Sequence, residues 1–155
     1  MEKALFSLCL LLAIFTRSNA QYLTIPDTNF VNYLTAHYPS AMVGNMMDTT
    51  DVNVVGDTIL LVNNHGITDL EGVQYFDGLK YLNCSVTLVS NIPGLPPLLK
   101  YFNCGACQLI SLPSLPNSID TFICGSNFLT SLPALPGNLK YLDCSYNNLL
   151  SIPIM

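Results

Sequence analysis

The chain has 155 residues, of which half are hydrophobic and 10% charged, and its net charge is −5. That length suits one domain with its own core. So few cations give no electrostatic footprint for nucleic acid or for an anionic membrane surface.

Residues 1–20, MEKALFSLCLLLAIFTRSNA, place Lys3 ahead of an apolar run from Ala4 to Phe15 and end on Ser18-Asn19-Ala20. This is the pattern of a cleavable secretory signal, and the run is too short to span a bilayer. Cys9 sits inside the run behind Leu8, which is not where a lipid-anchored cysteine would lie. Cleavage before Gln21 leaves 135 residues with no transmembrane segment and predicts a secreted or cell-surface product. Glu2, Lys3 and Arg17 depart with the signal, so the remainder holds three Lys, no Arg and nine Asp or Glu, a net charge of −6.

Residues 21–56 predict an N-terminal helical cap and loop. Asp27 is placed to cap one short helix, Phe30, Val31 and Leu34 share a face, and Pro39 stops it. In the stretch DVNVVG from Asp51 to Gly56, Asp51, Asn53 and Gly56 keep step with a calcium loop. Val55 and Val62 fall where such a loop needs oxygen ligands, so a connecting loop is predicted instead.

Residues 57–155 are repetitive. LKYLNCSVTLVSNIPGLPPL from Leu79, LKYFNCGACQLISLPSLPNS from Leu99, IDTFICGSNFLTSLPALPGN from Ile119 and LKYLDCSYNNLLSIP from Leu139 align at a period of twenty without a gap. Apolar residues fall at positions 1, 4, 6, 11 and 14, and position 6 is always cysteine. An earlier unit from about Asp57 puts Leu60, Val62, Ile67 and Leu70 in the same places, with a step of twenty-two from Val62 to Cys84. Five units, the last incomplete, exceed the minimum for a cooperative stack. The incomplete last unit predicts either more sequence beyond Met155 or a partner over that end.

The alternating x-L-x-C-x segment is a short strand, and each unit adds one rung to a parallel sheet. Pro93, Pro96, Pro113, Pro116, Pro133 and Pro136 cannot donate to a ladder or sit inside a helix, so the return path should be extended or polyproline-like. The pattern, carried by Leu139, Leu142, Cys144, Asn147, Leu149, Ile152 and Pro153 among others, resembles the leucine-rich repeat. In its short L-P-x-L-P form it resembles secreted bacterial members of that family, whose longer relatives imply further repeats and a sorting segment. The order IPDTNF then ITDLEGVQYFDGLKYLNC resembles their N-terminal region. The resemblance implies a leucine-rich-repeat solenoid with a parallel β-sheet on its concave face, an extended convex side and a short N-terminal capping helix.

Cys84, Cys104, Cys124 and Cys144 are predicted to point inward as structural core cysteines, one per rung, about 4.8 Å apart. Thiolates strung out in this way cannot surround one zinc, whose sulfur ligands lie about 2.3 Å from the metal. In-register strands also keep Cβ atoms farther apart than the roughly 3.8 Å a disulfide needs. Five cysteines after the signal is an odd number, unlike a paired framework. Cys104-Gly-Ala-Cys107 has the C-x-x-C spacing of thiol-redox proteins but lies on a strand and its exit turn, not at a helix N-terminus. Cys107 also takes repeat position 9, where Asn127 and Asn147 stand. His37 and His65 have no nucleophile elbow, phosphate loop or zinc spacing near them. Neither an enzyme nor a cofactor is expected.

Strand side chains alternate, so positions 3 and 5 must line the concave face. That face then presents Tyr81 and Asn83, Tyr101 and Asn103, Thr121 and Ile123, and Tyr141 and Asp143, with position 7 beside them. Tyrosine gives a stiff, large contact with a polar tip, and Asn adds hydrogen bonds, a mixture suited to a protein or glycan ligand. The same columns would also stabilise neighbouring rungs, so a structural or adhesive module without a discrete site is the alternative, and a thiol-redox protein using Cys104 and Cys107 a lesser one. A thiol-reagent titration of the folded, unreduced protein should find few reactive cysteines before denaturation and about five after it; a persistent deficit would reveal bridges.

Overall fold

The computed structural model describes residues 20–153. In it the chain builds a small cap followed by a parallel solenoid. The cap contains β1 (Tyr22–Thr24), α1 (Thr28–His37), β2 (Met42–Val43), β3 (Met46–Asp48) and α2 (Val52–Gly56). The solenoid carries β4 (Ile59–Leu61), β5 (Tyr81–Asn83), β6 (Tyr101–Asn103), β7 (Thr121–Ile123) and β8 (Tyr141–Asp143), paired parallel in that order. The register is the repeat register: Leu60, Leu82, Phe102, Phe122 and Leu142 lie side by side.

α1 forms where the sequence predicts it. Asp27 adopts an extended backbone and its carboxylate accepts from Phe30 N at 2.8 Å, while Phe30 and Leu34 are fully buried and Val31 only partly. The rest of the cap departs from the expectation of one helix and a loop. β1, β3 and β2 form an antiparallel sheet in that order, with Leu23 opposite Met47. These strands have two or three residues each, too short for alternation to show in the sequence. The DVNVVG stretch is a short helix, α2, capped by the Asp51 carboxylate at Asn53 N, 2.8 Å. A loop was predicted there because Asp and Asn favour turns; here Asp51 serves as a cap instead.

The cap is bonded to the first rung. The second oxygen of Asp27 accepts from Thr68 N at 2.8 Å and Thr68 Oγ1 at 2.6 Å, and Asn29 Nδ2 donates to Gly66 O at 2.9 Å. Tyr38 donates its hydroxyl to Asp57 and sets its ring edge-on to Phe76, with centroids 5.4 Å apart. Gly72 packs against the tip of Ile25 with φ +106°, a backbone conformation that favours glycine where cap and solenoid meet.

The step of twenty-two in the first unit also has a location. Leu70 to Leu79 spans two residues more than Ile92 to Leu99, and the extra length forms a 3₁₀ turn, Val73–Tyr75, that buries Val73 and Phe76. The later, proline-bearing returns carry neither helix nor strand. The core runs the length of the stack, with the Phe102 and Phe122 rings 5.5 Å apart and within 8° of parallel. Position 8 of every rung, Asn64, Val86, Ala106, Ser126 and Tyr146, has φ between 52° and 61°. The strand therefore leaves each rung through a left-handed residue that is never glycine.

Burial raises the pKa of Asp27, but hydrogen bonds from Thr68, Phe30 and Asn29 outweigh it and hold the carboxyl below its usual value. A lowered folded-state pKa contributes stability that is present above the unfolded value, about 3.9, and is lost as pH falls through the folded one. Asp27→Asn keeps one acceptor but sets an amide donor against the Thr68 donors. It should cost about 1–3 kcal/mol at neutral pH, and its urea midpoint should fall less than that of the wild type on acidification below about pH 4.

Candidate functional site

Positions 3 and 5 line the concave sheet. The first column reads Ile59, Tyr81, Tyr101, Thr121, Tyr141, and the second Leu61, Asn83, Asn103, Ile123, Asp143, both fixed by the strand register. Position 4 between them is buried from β4 to β7. All eight residues singled out from the sequence share this one surface. Tyr81 and Tyr101 stack with centroids 4.0 Å apart and planes within 3°, whereas Tyr141 stands beyond Thr121 and is 54% exposed. The adjacent Tyr101 hydroxyl, with a smaller contribution from burial, raises the Tyr81 phenol pKa.

The second column has a further task that repeat patterning did not reveal. Asn83 Oδ1 accepts from Ser85 N at 3.0 Å and Ser85 Oγ at 2.7 Å, Asn103 Oδ1 from Gly105 N at 3.0 Å, and Asp143 Oδ1 from Ser145 N at 3.0 Å and Ser145 Oγ at 2.7 Å. These side chains close the turns that end β5, β6 and β8, whereas Leu61 and Ile123 hold the same place on β4 and β7. The bonds from Ser145 hold the Asp143 carboxyl below its usual value, so it is ionised at neutral pH. Position 7 belongs to that turn, and Gly125 there is buried rather than displayed. The signal was present in the Asx-x-[Ser/Gly] spacing, which is legible as an Asx turn.

On the other side of the sheet Cys84, Cys104 and Cys124 are fully buried and Cys144 partly so, all as free thiols. Burial pushes Cys104 well above its usual pKa; burial, together with Cys144 and Asp143 nearby, pushes Cys124 up to about 12. Among the described residues no three or more His, Cys, Asp or Glu side chains converge as a metal site would require.

Beside that column, position 9 forms a polar ladder. Asn127 Nδ2 donates to Cys104 O at 2.8 Å and Cys124 O at 3.1 Å while its Oδ1 accepts from Leu109 N at 3.0 Å. Asn147 repeats this with Cys124 O, Cys144 O and Leu129 N. One rung earlier Cys107 Sγ takes the same place, 3.2 Å from Cys84 O and 3.3 Å from Thr87 Oγ1. Its hydrogen-bond neighbour is thus Cys84 of the previous rung, and Cys104 and Cys107 are both free thiols. The Cys84 thiol acts to lower the Cys107 pKa. Burial and the carbonyl oxygens of Cys84 and Gly105, the latter at 3.7 Å, favour the protonated donor instead. We assign Cys107 as a thiol donor in the ladder, because an anion facing two carbonyls would be repelled by both.

These features define a leucine-rich-repeat solenoid: a parallel sheet of one strand per twenty-residue turn, an inward apolar layer and an Asn ladder at the strand exits. No protein-family model matches the chain, and no curated protein does. Among solved structures it is similar to YopM from Yersinia enterocolitica WA-314, a bacterial leucine-rich-repeat protein, at 37% identity and a TM-score of 0.50. The match covers 51% of this chain and 18% of YopM, so the chain spans less than a fifth of that protein. Such solenoids are typically non-enzymatic scaffolds whose extended concave surfaces bind partners.

Asn127→Ala leaves the buried Leu109 N–H and Cys104 carbonyl unpaired and should cost about 2–4 kcal/mol in urea unfolding. Cys107→Asn extends the ladder by one rung and should unfold at or above the wild-type urea concentration; a fall comparable to that of Asn127→Ala would refute the assignment of Cys107.

Proposed function

We propose that the chain is a secreted or cell-surface binding module that recognises a protein or glycan through the concave face of its solenoid. The organisation proposed with it is a signal at residues 1–20, which lies almost entirely outside the described residues, a cap over residues 21–56 and repeats from residue 57 onward. The observation that carries the reading is the column of Tyr81, Tyr101 and Tyr141. Three large amphipathic side chains stand on one rigid sheet, and Tyr141, beside Thr121, exposes over half its surface. Aromatic residues held stiffly in this way lose little entropy on binding.

A second reading is favoured by one observation. Asn83, Asn103 and Asp143 spend oxygens on their own turns, so part of this face serves the fold and would persist in a structural or adhesive module without a discrete site.

A protein and glycan array separates the two. Saturable binding that falls at least about tenfold in Tyr101→Ala plus Tyr141→Ala, with circular dichroism showing the fold retained, supports a concave site. Unchanged binding by that variant removes the site and leaves the structural module.

A further inference from the structure

Every cation of residues 21–155 lies in one column. Lys80, Lys100 and Lys140 occupy position 2 of their units, and Arg is absent from residue 18 onward. The column is a physical one, because Lys100 N donates to Lys80 O at 2.9 Å, Asp120 N to Lys100 O at 2.9 Å and Lys140 N to Asp120 O at 2.8 Å. It runs along the edge of the concave sheet directly before the tyrosine column, one rung about every 4.8 Å. Residues 21–78 hold seven of the nine acidic side chains and no Lys or Arg, so the cations stand apart from most of the anions.

The column has two halves. Lys140 meets Asp120 at 3.7 Å, and Asp143 adds a second carboxylate to the same end of the sheet. Lys80 and Lys100 are exposed and form no ion pair among the described residues. Beside them the Nδ2 groups of Asn83 and Asn103 make no hydrogen bond among the described residues, since only the Oδ1 atoms of these side chains are engaged. The β5–β6 end thus presents two cations just ahead of the strands, two amide donors and two phenol hydroxyls, a set rich in donors and without negative charge.

We propose that the β5–β6 half of the concave face binds an extended protein segment that carries carboxylates, with Lys80 and Lys100 as its charge-pairing residues. This rests on the concave-face reading above and narrows it to a ligand chemistry. Charge complementarity selects an anion. The tyrosine geometry favours peptide over sugar, because carbohydrate stacks on open aromatic faces, whereas Tyr81 and Tyr101 stack one face each on the other and have Ile59 and Thr121 as their outer neighbours in the column. Ile59 and Leu61, both half-exposed at the β4 end, add an apolar patch that suits an aliphatic residue next to the acidic ones.

Fluorescence anisotropy with a labelled glutamate oligopeptide, and with hyaluronan oligosaccharides of matched charge, tests this on the full chain. The expected result is peptide binding that weakens with added salt, falls at least about tenfold in Lys80→Gln plus Lys100→Gln, and changes less than about twofold in Lys140→Gln. Equal or tighter binding of hyaluronan overturns the proposal in favour of an anionic glycan or of charge alone. Absence of peptide binding, or binding indifferent to the double Lys variant, also overturns it. An array ligand lost in the double Tyr variant but retained in the double Lys variant would leave the concave site standing and this proposal refuted.

Discussion

The solenoid depends on how the carbonyls at each strand exit are satisfied. When the chain leaves β5, β6 or β7 it turns away from its neighbours, and the buried carbonyls of Cys84, Cys104 and Cys124 must be satisfied by side chains, partly from their own rung through Thr87 and Asn127 and in every case from the next. The position-9 side chain of the next rung supplies the bond: Cys107, Asn127 and Asn147 in turn. A buried carbonyl left unpaired costs about 1–3 kcal/mol, comparable to much of what one rung contributes. The bond also crosses between rungs, so it sets the height of one turn above the last. Inward Leu, Phe and Cys fill the space that this spacing leaves.

Much of that was legible in the residues. A period of twenty with apolar side chains at positions 1, 4 and 6 dictates a rung and its inward face, because a strand has only two faces and one must be dry. The Asp27 cap was equally plain, since an acidic residue three positions before Phe30 has one obvious donor to reach. What escaped was whatever depends on contacts between distant segments. The cap sheet pairs Leu23 with Met47 through strands too short to carry a pattern. The DVNVVG stretch becomes a helix because Asp51 finds a backbone donor, an outcome that composition alone points away from.

The candidate surface was readable to a similar depth. Alternation placed Tyr81, Tyr101 and Tyr141 together, yet the column does not reveal that two of these rings stack while the third stands free. The lysines were visible as part of L-K-Y-L and looked like consensus. Only the pairing of Lys140 with Asp120 distinguishes a neutralised end from an unpaired one. One drifted unit, with Asp120, Thr121 and Ile123 in place of Lys, Tyr and Asn, therefore divides an otherwise uniform face into two electrostatic regions.

The left-handed residue at position 8 has a consequence for how the stack comes apart. Topology imposes the same backbone conformation on Asn64, Val86, Ala106, Ser126 and Tyr146, but these residues tolerate it unequally, and β-branched Val86 tolerates it worst. Identical geometry is thus laid over unequal local free energies. A one-dimensional array with unequal links frays at its weakest joint, not at random. In this chain the backbone term is most unfavourable at the Val86 turn, one rung inside the cap, so the repeat's uniform geometry carries its largest local conformational cost there.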